Sequence, residues 1–92
     1  MKTRNQVMSL LEKKYPNMLL RTTEEFNGSE GGIWTSGEDG PEAKAGGPLF
    51  NYYSENYSRY NLGVHNEICD YLDKLGWYCE WYDAGTIMIW PE

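Results

Sequence analysis

The stretch from Leu62 to Pro91 constrains the fold most, because it reads as one helix feeding directly into one β-hairpin. Val64, Ile68, Leu72 and Leu75 recur at helical spacing and make a single apolar stripe. Asn61 stands where an N-cap is expected, and Gly76 where helices commonly end on a left-handed residue. Two short runs, Trp77–Tyr82 and Thr86–Trp90, flank Asp83-Ala84-Gly85. That triplet suits a three-residue loop, a type I turn closed by a glycine in a bulge. Pro91 then removes a donor and ends the second strand.

The loop sets the register, and the register sorts the side chains. If Tyr82 faces Thr86, then Glu80 faces Met88 and Tyr78 faces Trp90 on one side of the sheet. The opposite side carries Trp81 against Ile87, Cys79 against Ile89, and Trp77. This second set is apolar and is expected to meet the helix stripe. The first set, Tyr78, Glu80, Tyr82, Met88 and Trp90, combines aromatic anchors with a soft thioether, the residue types enriched at protein interfaces. It is the candidate partner-binding face. A second copy of the chain is another source of cover, with a homodimer forming through the edge of the Thr86–Trp90 strand.

Upstream, Thr3 and Gln6 have the spacing of a capping box, and Val7, Leu10 and Leu11 follow as a short amphipathic stripe. Pro16 stops that helix near Tyr15. Met18–Phe26 reads as a strand, Asn27-Gly28 as a turn, Ile33-Trp34-Thr35 as a return strand and Leu49–Tyr53 as a third strand. Gly37 to Gly47 lacks apolar periodicity and reads as a surface loop, while Ser54 to Tyr60 takes no assignment. The whole, residues 1–92, is expected to be one α+β domain. Two helices pack on one face of a four- or five-stranded, largely antiparallel sheet in the order α-β-β-(β)-α-β-β.

The formal net charge is −6, which argues against direct binding to a nucleic-acid backbone and favours a basic protein partner. Six carboxylates, Glu24, Glu25, Glu30, Glu38, Asp39 and Glu42, fall between Thr22 and Ala43 with no lysine or arginine among them. Spaced acids can imitate a phosphate backbone, so an acidic mimic that inhibits a DNA- or RNA-handling protein is the alternative reading. Glu67, Asp70 and Asp73 are expected on the wet face of the second helix. No apolar run approaches the roughly 18 residues of a membrane span, and the first residues lack a secretory signal's apolar core, so a cytoplasmic location is expected.

His65, Cys69 and Cys79 are the right ligand types for zinc, and a nucleophile with a base can be drawn from them. Their spacing matches none of the paired-ligand motifs, and nothing places a thiol where its pKa would fall. A small enzyme or metal protein is therefore the second alternative, with no catalytic residue, metal or cofactor assigned. The two thiols are expected to be reduced.

Short, acidic, aromatic-rich and without a catalytic signature, the chain resembles in style small phage or mobile-element accessory proteins and toxin-neutralising proteins. No motif carries that likeness. It implies a binding or inhibitory role and assigns no residues. The reading is a non-enzymatic binding or inhibitory module for a protein partner.

Overall fold

The computed structural model describes residues 1–38 and 40–92. The chain runs α1 (Arg4–Lys14), β1 (Arg21–Thr22), α2 (Thr23–Asn27), β2 (Ile33–Ser36), β3 (Tyr60–Asn61), β4 (Val64–His65), α3 (Asn66–Leu75), β5 (Trp77–Asp83) and β6 (Thr86–Pro91). This is the expected α+β fold, with a third short helix and a separate two-stranded ribbon added. The main sheet is antiparallel, in the order β1-β2-β6-β5; β3 and β4 form the ribbon.

The capping box forms. Thr3 Oγ1 accepts from the Gln6 amide, and Gln6 Oε1 accepts from the Thr3 amide at 2.9 Å. Val7 and Leu11 of α1 meet Ile68 and Leu72 of α3 over Ile33, Ile87 and Ile89 of the sheet, all fully buried. Both long helices therefore lie on the face predicted to be apolar. At the chain start, the Trp77 indole donates to Lys2 O at 2.7 Å and Lys2 N donates to Leu75 O at 3.0 Å, which ties the N-terminus to the end of α3.

The hairpin keeps its expected register, Tyr78↔Trp90, Cys79↔Ile89, Glu80↔Met88 and Trp81↔Ile87, but turns differently. Asp83, not Tyr82, faces Thr86, so the loop is Ala84-Gly85 and Tyr82 is the extra residue of a β-bulge. Gly85 does not adopt a left-handed conformation. Asp83 Oδ1 closes the turn instead by accepting from Gly85 N at 3.0 Å.

Four other expectations are corrected. The strand expected over Met18–Phe26 shrinks to Arg21–Thr22. Thr23 exchanges bonds with Gly32, its amide donating to Gly32 O and its hydroxyl accepting from Gly32 N, and the chain then turns into α2. Leu49–Tyr53 forms no strand, only an isolated bridge from Phe50 to Val64. The N-cap of α3 is His65 rather than Asn61, because Tyr60 to His65 form the ribbon first. Finally, β6 lies between β2 and β5, so its edge is already paired and cannot carry a homodimer; β5 and β1 are the free edges.

Leu72→Ala should cost about 2–5 kcal/mol in chemical unfolding, since the side chain is fully buried in the centre of this core. Glu38→Ala, at an exposed position, should stay within about 0.5 kcal/mol of the parent.

Candidate functional site

The side of the sheet opposite α1 and α3 carries Trp34, Met88 and Glu80 in one row across β2, β6 and β5. Phe26 of α2 packs against Trp34 at a ring separation of 5.0 Å and edge-on against Tyr82 at 5.1 Å. Those two residues stand on either side of β6, so the Phe26 ring lies over that strand. Met88 is accordingly only 2% exposed. Trp90 is half-covered by the turn before β2: a Cβ at Gly32 would come within 2.5 Å of its ring. Tyr78, Glu80 and Tyr82 stay exposed along the free edge strand. Of the five residues placed on this face by sequence, three are thus open to solvent, Trp90 is half-open and Met88 is covered by Phe26.

A second aromatic surface, unassigned from sequence, lies on the other side of β5. Residues 51–63 read Asn-Tyr-Tyr-Ser-Glu-Asn-Tyr-Ser-Arg-Tyr-Asn-Leu-Gly, the tyrosine, serine, asparagine and glycine mixture typical of recognition loops. The two ends of this segment are anchored to the rest of the fold. Asn51 N donates to Gly63 O at 2.7 Å, Asn66 N to Arg59 O at 2.8 Å, Tyr60 Oη to Pro48 O at 2.7 Å, and the Trp81 indole to Leu62 O at 2.7 Å. Yet Tyr53, Tyr57 and Leu62 are 79%, 77% and 81% exposed. Tyr52 stacks edge-on against both Tyr53 and Trp81. Tyr52, Tyr57, Leu62 and Trp81 line an open groove of about 460 Å³.

Leu62 and Gly63 form the tip of the β3–β4 ribbon, with φ of +50° and +83°. Positive φ at both central residues is the type I′ pattern, which favours asparagine then glycine. Gly63 fits this; its missing Cβ would otherwise sit 2.7 Å from Asn51 O. Leucine does not fit, and holding an L-residue there costs roughly 1–2 kcal/mol. The exposed leucine borders the groove beside Trp81, whose indole holds its carbonyl. The sequence signal for this turn is the Leu-Gly pair between Tyr60-Asn61 and Val64-His65; the expected helix from Leu62 instead begins at Asn66.

Among the described residues, two of the acids expected on one surface are paired with basic side chains. Glu24 pairs with Arg4 at 2.6 Å and accepts from Gly31 N at 3.0 Å; that amide bond, Glu24's own amide and Arg4 hold its carboxyl below the usual range. Glu25 lies 3.9 Å from Arg21, while Glu30, Glu38 and Glu42 are exposed and Asp39 lies outside the described residues. Glu67, expected on the wet face of the helix, is half-buried. Its carboxylate accepts from Tyr15 Oη at 2.6 Å, Lys44 N at 2.8 Å and Ala45 N at 3.0 Å. It thereby pins the glycine-rich loop and the end of α1 to the start of α3.

His65 has a structural occupation. Its Nδ1 accepts from Glu67 N at 3.0 Å, which makes it the N-cap of α3 and requires the proton to sit on Nε2. That Nε2 is buried without a hydrogen-bond partner among the described residues, and the imidazole packs edge-on with Tyr60. Among the described residues, no three His, Cys, Asp or Glu side chains converge as a metal site. Cys69 of α3 and Cys79 of β5 are free, half-buried, packed against the core and border the same two clefts. No helix among the described residues is long and apolar enough to cross a membrane. Comparison with protein-family models, curated proteins and solved structures returns no match.

The Glu67 hub sets a pH dependence. Burial opposes ionisation of this carboxyl, but the Tyr15 hydroxyl, the two loop amides and the Lys14 charge together outweigh it and hold the pKa below the usual range. A depressed folded-state value contributes stability that is fully present above the unfolded pKa of about 4.3 and is lost as pH falls through the folded one. Glu67→Gln should therefore lower stability by about 1–3 kcal/mol at neutral pH. In acid titrations followed by unfolding, it should also flatten the loss of stability below pH 4.

Proposed function

We propose that this chain is a non-enzymatic binding module for a basic protein partner, and that the loop of residues 51–63 forms the principal contact. The single observation that carries this reading is Leu62, 81% exposed and in a left-handed conformation, with its carbonyl bonded to the Trp81 indole. Strain of that kind persists where the surrounding structure enforces it, and it concentrates at ligand clamps and similar sites. Around it, exposed tyrosines supply large contact area with little rotamer entropy to lose, and the anchored backbone has already met the ordering cost of binding. Glu38, Glu80 and Asp83 are exposed nearby at the tip and edge of the main sheet, giving the surface an acidic border suited to a basic partner. Tyr78 and Tyr82, on the outer side of β5, extend the surface around that free edge strand.

The test combines stability with capture. Leu62→Asn should stabilise the protein by about 0.5–1.5 kcal/mol, because asparagine tolerates positive φ and the exposed leucine contributes little packing. The same substitution, combined with Tyr53→Ser and Tyr57→Ser, should abolish capture of a partner that the parent chain retains from a lysate of its source cells. Retention should persist at about 1 M salt, where charges are screened beyond roughly 3 Å. If the triple variant captures the same protein as its parent, the loop is not the contact. Loss of capture from the parent by salt alone would favour an acidic mimic.

A further inference from the structure

The outer edge of β5 carries backbone groups that the fold leaves open. Antiparallel pairing alternates bonded and unbonded residue pairs along a ladder. Glu92 N donates to Gly76 O at 3.0 Å, one pair before Trp77↔Pro91, so Tyr78 and Glu80 turn their amides and carbonyls toward β6. On the other flank of β6, Gly37 N donates to Gly85 O at 2.9 Å and sets the same phase. It commits Ile87 and Ile89 to β2 and leaves Met88 and Trp90 for β5. The amides and carbonyls of Cys79 and Trp81 therefore point out of the sheet, and among the described residues no backbone bond reaches them. Two clefts flank these groups on the α3 side, with the two-residue period of a strand. One, of about 290 Å³, runs from Trp77 to Cys79 and is bordered by the exposed carboxylates Asp70, Asp73 and Glu92. The other, of about 150 Å³, runs from Cys79 to Trp81 and is bordered by Leu62 and Val64, with Glu80 beside them. No lysine or arginine lines either one.

From this open edge and its paired clefts we infer that β5 takes an added strand: an extended, antiparallel segment of the partner with an apolar residue and, two positions later, a lysine or arginine. This deepens the proposed function and rests on its basic partner, adding the form of the segment that partner presents. Main-chain bonds to an exposed sheet edge supply affinity, and pockets for alternate side chains supply selectivity. The residues opposite Trp81 and Cys79 exchange backbone bonds with them and send their side chains to the α3 side, where the clefts lie. Because the added strand runs against β5, its apolar residue meets Leu62 and Val64 first, and its cation then meets Asp70, Asp73 and Glu92. The β-bulge at Tyr82 bends the edge beyond Trp81, which confines the added strand to Trp77–Trp81. The same charges select against a second copy of the chain. Two chains of net charge −6 paired along this edge would set Glu80 and the cleft carboxylates of one beside those of the other.

The probe is a synthetic peptide, acetyl-Ser-Thr-Val-Thr-Lys-Thr-Ser-amide, added to the isotopically labelled full chain and followed by NMR. Bound peptide should slow amide hydrogen exchange at Cys79 and Trp81 roughly tenfold, while Tyr78 and Glu80, already bonded to β6, change little. N-methylation of the peptide's valine and lysine amides, which face β5, should abolish binding; N-methylation of the threonine between them, which faces away, should not. Replacing the lysine by glutamate should weaken binding roughly tenfold at low salt, and Asp70→Asn with Asp73→Asn should narrow that gap. Unchanged exchange at Cys79 and Trp81 under saturating peptide, binding that survives both inward N-methyl groups, or equal binding of the lysine and glutamate peptides would each overturn the inference. So would a chain that sediments as a dimer with those two amides already protected. The peptide assay is separate from lysate capture. If loop-dependent capture persists while the peptide fails, the added strand is wrong and the loop contact stands; if the peptide binds the edge while the parent captures nothing, the added strand stands and the loop contact is wrong.

Discussion

A single carboxylate joins the glycine-rich loop to two helices. Glu67 sits in the first turn of α3, where a negative charge complements the helix N-terminus. From there it accepts from Tyr15, at the end of α1, and from two successive amides of the glycine-rich loop. Tyr15 is almost wholly buried, and the Lys14 ammonium lies 4.5 Å from the Tyr71 ring beside it. A loop with little side-chain bulk has few apolar contacts to hold it. Charge-assisted bonds to its backbone supply the missing anchor. That loop in turn leads to Leu49 and Phe50, whose backbones bond to the ribbon that carries Leu62. The position of the exposed leucine therefore traces back to Glu67.

The two faces of the hairpin show how a small chain allocates its aromatic residues. On the outer face, α2 brings Phe26 over β6 and removes Met88 from water, which lessens the apolar surface a lone sheet would present. On the other side of β5, the fold leaves Tyr53, Tyr57 and Leu62 bare, although the Leu62 carbonyl is held by the Trp81 indole. Rigid backbone with exposed side chains is an arrangement that adds little to stability. It is also one that lowers the entropic cost of association.

The charges follow the same logic of local use. Glu24 holds the turn after α2 through Gly31 and reaches Arg4 on α1, so an acid that looked like part of a patch is a brace between elements. His65 closes the start of α3, and its Nδ1 is committed to the Glu67 amide.

Local sequence determined those elements whose stabilising contacts are themselves local. The Thr3–Gln6 box, the Ile68–Leu72–Leu75 stripe, Gly76 as a left-handed terminator and the pairing of β5 with β6 were all legible, because each depends on residues a few positions apart. Tertiary structure decided the rest. Thr22-Thr23 looked like strand interior, but a bond pair to Gly32 ends the strand and turns Phe26 onto the sheet. Glu67 looked solvated until Tyr15 and the Lys44–Ala45 amides arrived from distant parts of the chain. The insertion of β6 between β2 and β5 moved the free edge to β5, and strand order is not written in the alternation of one hairpin. The candidate site was hidden for the same reason. Tyrosine-rich segments pack inward or stand outward according to what lies beneath them, and Trp81 and Gly63, which support this one, come from separate elements.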